Sequence, residues 1–157
     1  MPSNRKRVAR PNLPLLLLRA RETMMRRFRV VLKECGLTDQ QWRILRALAE
    51  RGAMTATALA DECCMPGPSI TGVLDRMEQG GLVSRSRSPA DQRRVDISLT
   101  PQGRELVEAA LPDIERVYAE LERTVGAARL AGLARELEDL LGALEEAPVE
   151  ETGEVAP

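Results

Sequence analysis

Residues 55–100 read TATALADECCMPGPSITGVLDRMEQGGLVSRSRSPADQRRVDISLT. Thr55 to about Cys63 is rich in alanine and leucine and predicts a helix with Thr55 as its N-cap. Cys64-Met65-Pro66-Gly67 is a turn. Pro68 opens a second helix, since proline is tolerated in a first turn where the N–H has no helical partner. That helix runs to about Gln79 and stops at Gly80-Gly81. Leu82-Val83 and the alternating Val95-Ile97-Leu99 predict two strands. The segment between them, Ser84 to Arg94, is basic. Two short helices followed by a basic hairpin predict a winged helix-turn-helix, a module that reads DNA.

Within the second helix of this module, Ile70, Val73, Leu74 and Met77 form the face expected to be buried. Pro68, Ser69, Thr71, Gly72, Asp75 and Arg76 lie outside it. Residues early in such a helix are those expected at base edges of the major groove. Ser69 and Thr71 can donate to bases or phosphates, Gly72 permits close approach, and Arg76 is the outward cation, suited to phosphate. A merely solvated polar face has a similar composition, and the hairpin shifts the balance. Arg85, Arg87, Arg93 and Arg94 stand there against a single acid, Asp91. An arginine at such a tip can enter a narrow minor groove, with Asp91 orienting it or capping the turn.

The chain has 157 residues, a net charge of −1 and a pI of about 5.7, so the DNA-reading surface has to be local rather than global. No apolar run approaches the roughly 20 residues of a membrane span, no small-residue cleavage site follows Leu13–Leu18, and a cytoplasmic location without membrane contact is expected. Histidine is absent, the three cysteines lack metal-ligand spacing, and there is no phosphate loop or nucleophile motif. Neither an enzyme nor a cofactor is expected.

Outside the module, residues 1–12 hold Arg5, Lys6, Arg7 and Arg10 with two prolines. They read as a basic disordered tail, or as an arm adding phosphate contacts. Pro14 to about Leu32 predicts a helix whose apolar stripe includes Leu17, Met24, Met25, Phe28, Val31 and Leu32. Arg21 falls in the middle of that stripe. A guanidinium aimed at a core must be paired. Its partner is either an intramolecular group, such as a glutamate of another helix, or a small carboxylate ligand, which arginine holds bidentately. Thr38-Asp39-Gln40-Gln41 is a capping box for the next helix, which continues to Gly52. Trp42 and Arg46 are four apart on it and share a face. They read as core packing with a cation–π neighbour, or as the wall and second cation of a ligand pocket shared with Arg21.

Thr100-Pro101-Gln102-Gly103 opens a further helix, which Pro112 is expected to bend or divide. After Gly126, Leu130, Leu133, Leu137, Leu140, Leu141 and Leu144 make a helical stripe. One small module cannot cover all this apolar surface. Terminal helices packed on a second copy would cover it, which predicts a two-fold homodimer. Residues 145–157 read as an acidic disordered tail. The expected organisation is thus dimerisation helices at 13–36 and 101–144 around a winged helix-turn-helix at 37–100, mainly α with a small β wing.

Asp91-Gln92-Arg93-Arg94 followed by Ile97-Ser98-Leu99-Thr100-Pro101-Gln102-Gly103 resembles the wing and following helix start of MarR-family transcription regulators. Ser69–Glu78 with Gly81-Leu82-Val83 resembles their recognition helix and exit strand. Ala20-Arg21-Glu22, Phe28-Arg29 and Leu37–Ile44 are similar to the subfamily that regulates homoprotocatechuate (4-hydroxyphenylacetate) degradation operons, and Cys64 and Pro68-Ser69 fit that pattern. The resemblance implies a homodimer on a pseudo-palindromic double-stranded operator, usually a repressor of an aromatic catabolic operon. It implies release by a small aromatic acid bound in a cleft. From the residues themselves, an aromatic carboxylate is expected to pair with Arg21, with Arg46 or Arg43 as second cation and Trp42 as a wall. The alternative within the same fold is a cysteine redox sensor using Cys63 or Cys64. A protein-only adaptor is a further alternative, against which the arginine-tipped wing argues.

Overall fold

The protein, seen in a computed structural model, is described over residues 10–87 and 93–147. The expected basic tail, apart from residues 10–12, the wing residue Asp91 and most of the acidic tail lie outside the described residues. Six helices and three short strands follow in the order α1 Leu13–Glu34, α2 Asp39–Arg51, β1 Met54–Thr55, α3 Ala56–Glu62, α4 Gly67–Gln79, β2 Val83–Arg87, β3 Val95–Leu99, α5 Pro101–Val125 and α6 Ala127–Glu146. Two compact units result, residues 1–115 and 116–157, with α5 beginning in the first and ending in the second.

The first unit is built around α2, which touches α1, α3, α4 and β3. Its start is set by the expected capping box. Thr38 Oγ1 accepts from the Gln41 N–H at 3.2 Å, and Gln41 Oε1 accepts from the Thr38 N–H at 3.0 Å. Thr55 caps α3 in the same way, accepting from the Ala58 N–H at 3.2 Å. Leu32, Ile44, Leu45, Leu59, Ile70, Leu74, Met77, Val83 and Ile97 are all 2% exposed or less and form the core. Each such side chain contributes roughly 1.5–3 kcal/mol by leaving water.

The sheet is antiparallel in the order β1-β3-β2. Ser84 pairs with Ser98 and Arg87 with Val95 across β2 and β3. Strand β1 was not expected: Met54 pairs with Ile97 and Thr55 with Asp96, but two residues are too few to show alternation. Expectation and structure differ at two further points. Arg21 does not face a core, because the first half of α1 has none in the described chain; Leu13, Leu15, Leu16 and Leu18 are all exposed. Pro112 does not divide α5, which is assigned as one helix through it.

Helices α1, α3 and α4 end alike. The third residue past the helix donates back to the carbonyl five residues earlier (Leu37 to Leu32, Met65 to Ala60, Leu82 to Met77), while the residue before it turns left-handed. In α1 and α4 that residue is glycine; in α3 it is Cys64, with φ +47°. Beyond α4 the chain locks onto the start of α5. Thr100 Oγ1 donates to the Gly81 carbonyl at 2.5 Å and accepts from the Gly103 N–H at 3.0 Å. A β-carbon on Gly103 would lie far inside van der Waals contact with the Leu82 carbonyl oxygen, so only glycine fits there.

In the second unit α6 buries none of its residues, and Leu133, Leu141 and Leu144 are exposed. No helix among the described residues is long and apolar enough to cross a membrane.

Candidate nucleic-acid interface and ligand cleft

Helix α4 buries Ile70, Val73, Leu74 and Met77, the four residues expected from periodicity. Its remaining face carries Pro68, Ser69, Thr71 and Arg76, all exposed, with Gly72 half-buried among them. The Thr71 hydroxyl donates to the Gly67 carbonyl at 3.2 Å. Arg76 folds back along the helix: a β-carbon on Gly72 would lie 3.6 Å from Arg76 Nη1, an ordinary contact. Between α3 and α4 lies a cleft of about 570 Å³ whose lining includes Thr57, Asp61, Gly67 and Thr71. The exposed start of α4 therefore borders this cleft.

The strand register brings Arg87, at the end of β2, beside the start of β3, where Arg93 and Arg94 are exposed. Arg94 Nε donates to Asp96 Oδ1 at 2.7 Å, so that guanidinium is oriented by an acid of its own strand. Asp91, expected to do this, lies outside the described residues. Arg85 is not grouped with the distal arginines. It pairs with Asp75 and Glu78 of α4.

The four residues expected at a ligand pocket divide into two places. Arg21 donates to Glu22 Oε1 at 2.6 Å and to Asp39 Oδ2 at 3.0 Å, and Arg29 donates to Glu22 Oε2 at 3.0 Å. The hydrogen bond from Arg29, with both guanidinium charges, holds the Glu22 carboxyl below the usual carboxylate range. The partner of Arg21 on another element is thus an aspartate at the start of α2 rather than the expected glutamate. Arg43 donates through Nη1 to the Cys63 carbonyl. Arg43 and Arg46 line a second cleft, of about 270 Å³, with Ala47, Glu50, Glu62 and Cys63. Arg46 Nε donates to Glu50 Oε1 at 2.6 Å. Trp42 is buried, 6% exposed.

Asp39 was missed as a site residue because its place in the capping box already accounts for it. Its Oδ1 is buried without a hydrogen-bond partner, as is Arg43 Nε. Asp39, Trp42, Arg43 and Arg46 stand at i, i+3, i+4 and i+7, so all four share one face of α2. The orphaned acceptor and donor on that face are unmet polar groups in an interior that pairs nearly all of them.

Cys63 is 3% exposed, and burial pushes its thiol up; Cys64 is exposed and Cys35 half-buried. Among the described residues no group of three or more histidine, cysteine or acidic side chains could hold a metal ion.

Comparison with known proteins agrees with this geometry. The MarR family model matches residues 37–95. The homoprotocatechuate degradative operon repressor of Escherichia coli is 42% identical over 130 residues, covering 83% of this chain and 88% of its own. The structure of NadR in complex with 4-hydroxyphenylacetate superposes with a TM-score of 0.77 at 36% identity, covering 94% of this chain and 100% of that one. The repressor CouR bound to a 23-mer DNA duplex superposes with a TM-score of 0.75 at 26% identity, covering 82% of this chain and 92% of that one. With its recognition helix, its arginine-bearing wing and these relatives, the chain belongs to the MarR family of winged-helix, DNA-binding transcriptional regulators.

Proposed function

We propose that this regulator acts in the cytoplasm as a homodimer that represses an aromatic-acid catabolic operon and leaves its operator when a small aromatic carboxylate binds. The observation that carries the effector class is the face of α2. That face holds the guanidinium groups of Arg43 and Arg46, which line the cleft, with the indole of Trp42 and a carboxylate oxygen of Asp39 that has no donor, both buried. A hydroxyphenyl carboxylate complements that set. Its carboxylate takes a two-pronged bond from a guanidinium, and its phenol O–H donates to Asp39. Arg21, already on the other oxygen of Asp39, orients that carboxylate and adds a cation beside it. NadR, similar over most of this chain, was crystallised with such a compound.

On DNA, Pro68, Ser69, Thr71, Gly72 and Arg76 of each α4 occupy a major groove, in two half-sites about 34–36 Å apart. Arg87, Arg93 and Arg94 bring positive charge to the flanking minor groove, in a wing whose sequence also carries Asp91. Dimerisation is supported by Leu133, Leu141 and Leu144 of α6 and by Leu13, Leu15, Leu16 and Leu18 of α1, all exposed in the single chain. An effector releases the operator when it prefers a dimer shape whose recognition helices no longer match the half-site spacing. Tenfold release needs only about 1.4 kcal/mol of differential binding. The test is titration of 4-hydroxyphenylacetate into the complex of dimer and upstream DNA. Release at sub-millimolar ligand supports the proposal; an unmoved complex refutes its effector class. The cysteine-switch alternative draws less support at Cys63, where burial pushes the thiol up and shields it; at the exposed Cys64 the peroxide sensitivity of operator binding tests it.

A further inference from the structure

Arg85 leaves β2 on the same side as Val83, two residues earlier, because side chains alternate along a strand. Val83 is in the core, 2% exposed. Two residues further out, the same side of the strand overhangs α4. There Arg85 Nη2 meets Asp75 Oδ1 at 2.7 Å and Nη1 meets Glu78 Oε2 at 2.6 Å. Asp75 and Glu78 are three apart, hence neighbours on one flank of the recognition helix. We propose that Arg85 is a positioning residue. Its fork clamps the first strand of the wing to the recognition helix, so that helix and wing meet DNA at one fixed spacing.

Three observations carry this. Both terminal amino groups of the guanidinium are engaged, one on each carboxylate, which leaves a poor phosphate ligand. The arginine is also the least exposed of the three, 30% against 48% for Asp75 and 38% for Glu78. Second, two carboxylates on a helix that enters a groove repel the phosphates on either side, and Arg85 neutralises much of that charge. Asp75 lies one turn beyond Thr71, so the clamp stands directly behind a residue of the reading face. Third, the two strands of the wing are joined to each other by their own ladder, where Ser84 and Ser98 hydroxyls lie 3.3 Å apart, next to the Arg85–Ile97 pair. What the ladder does not set is the angle between wing and α4, and the fork spans that junction. The hydrogen bond to Asp75, ahead of the other influences, holds the Arg85 guanidinium even more firmly protonated than usual.

The inference rests on the DNA-reading role of the fold, and selection of a duplex from a random-sequence pool by the wild-type protein reads that role by itself. The variants are then measured on the selected duplex and on random duplex across a salt series. Arg85→Lys keeps the charge but replaces the planar fork with one ammonium, which a phosphate contact tolerates and a two-carboxylate clamp does not. Asp75→Asn leaves Arg85 in place and opens the clamp from the other side. Both are expected to lower the selected-over-random affinity ratio about fivefold or more, with the wild-type slope of affinity against salt. A wild-type ratio in both would overturn the proposal. So would a salt slope flattened in Arg85→Gln, which would make Arg85 a phosphate contact instead.

Discussion

Arg43 of α2 donates through Nη1 to the backbone carbonyl of Cys63, the residue that closes α3. The same side chain lines the cleft beside α2, so one guanidinium joins the proposed ligand face to the turn between the two reading helices. A charge-assisted bond to an otherwise open helix-end carbonyl is worth more than an exposed ion pair. Arg43→Ala is expected to lower stability by about 1–2 kcal/mol, seen as a lower urea midpoint with an unchanged m-value. A wild-type midpoint would deny the bond a structural role.

Two glycines predict opposite outcomes. At Gly103 a methyl group collides with the Leu82 backbone, which cannot move without disturbing the start of α5. Gly103→Ala is expected to cost about 2 kcal/mol or more, as overpacking against backbone does. At Gly72 the added methyl meets Arg76 at ordinary distance inside a helix. Gly72→Ala is expected to stabilise by about 0.5–1 kcal/mol through helix propensity while weakening operator binding, since the added methyl keeps the helix from approaching DNA as closely. Thermal melts and anisotropy titrations on the same samples read both effects.

Cys64 adopts a left-handed conformation that glycine occupies in the equivalent turns after α1 and α4. Cys64→Gly is expected to raise stability by up to about 1 kcal/mol, because the left-handed penalty of a residue bearing a β-carbon is removed. Operator binding should survive the change and stay insensitive to peroxide. Peroxide release of wild-type protein that disappears in this variant would favour the redox alternative.

Much of this was legible in the sequence, for identifiable reasons. The capping box at Thr38 and the apolar set Ile70, Val73, Leu74 and Met77 were readable because both depend on local geometry alone. The surroundings of Arg21 were not readable, because a helical stripe reports which residues share a face, not whether a core lies opposite; the exposed Leu13, Leu15, Leu16 and Leu18 show that none does within the described chain. Arg85 looked like one more wing cation, since nothing in sequence spacing reveals that a strand residue reaches two acids of the preceding helix. Asp39 was hidden by its evident capping place, and its unpartnered oxygen is visible only in three dimensions.

The acid limb of stability tests the cluster at α1. The folded-state pKa of Glu22 is depressed below its ordinary value of 4.5, first by the hydrogen bond from Arg29. Its contribution is therefore present above the unfolded pKa and is lost as pH falls through the folded one, since the unfolded chain binds the proton first. Below about pH 4.5, Glu22→Gln should lose stability less steeply than wild type. Parallel slopes in urea titrations at several pH values would remove the cluster from the account.

The wing is tested by salt. Arg93→Ala and Arg94→Ala should each weaken binding and flatten the dependence of log K on log salt by about one for every phosphate left without its cation. Arg94 must first leave Asp96, so Asp96→Asn should tighten binding to all duplexes. Wild-type slopes in both arginine variants would take the wing out of the interface.

The most direct measurement is a fluorescence anisotropy titration of the whole protein on duplex from upstream of its own coding region, against random duplex, with and without 4-hydroxyphenylacetate. The account predicts two chains per duplex, a preference for the upstream sequence of about a thousandfold or more at physiological salt, and loss of that preference with ligand. One chain per duplex, bound equally to both sequences and indifferent to ligand, would contradict it.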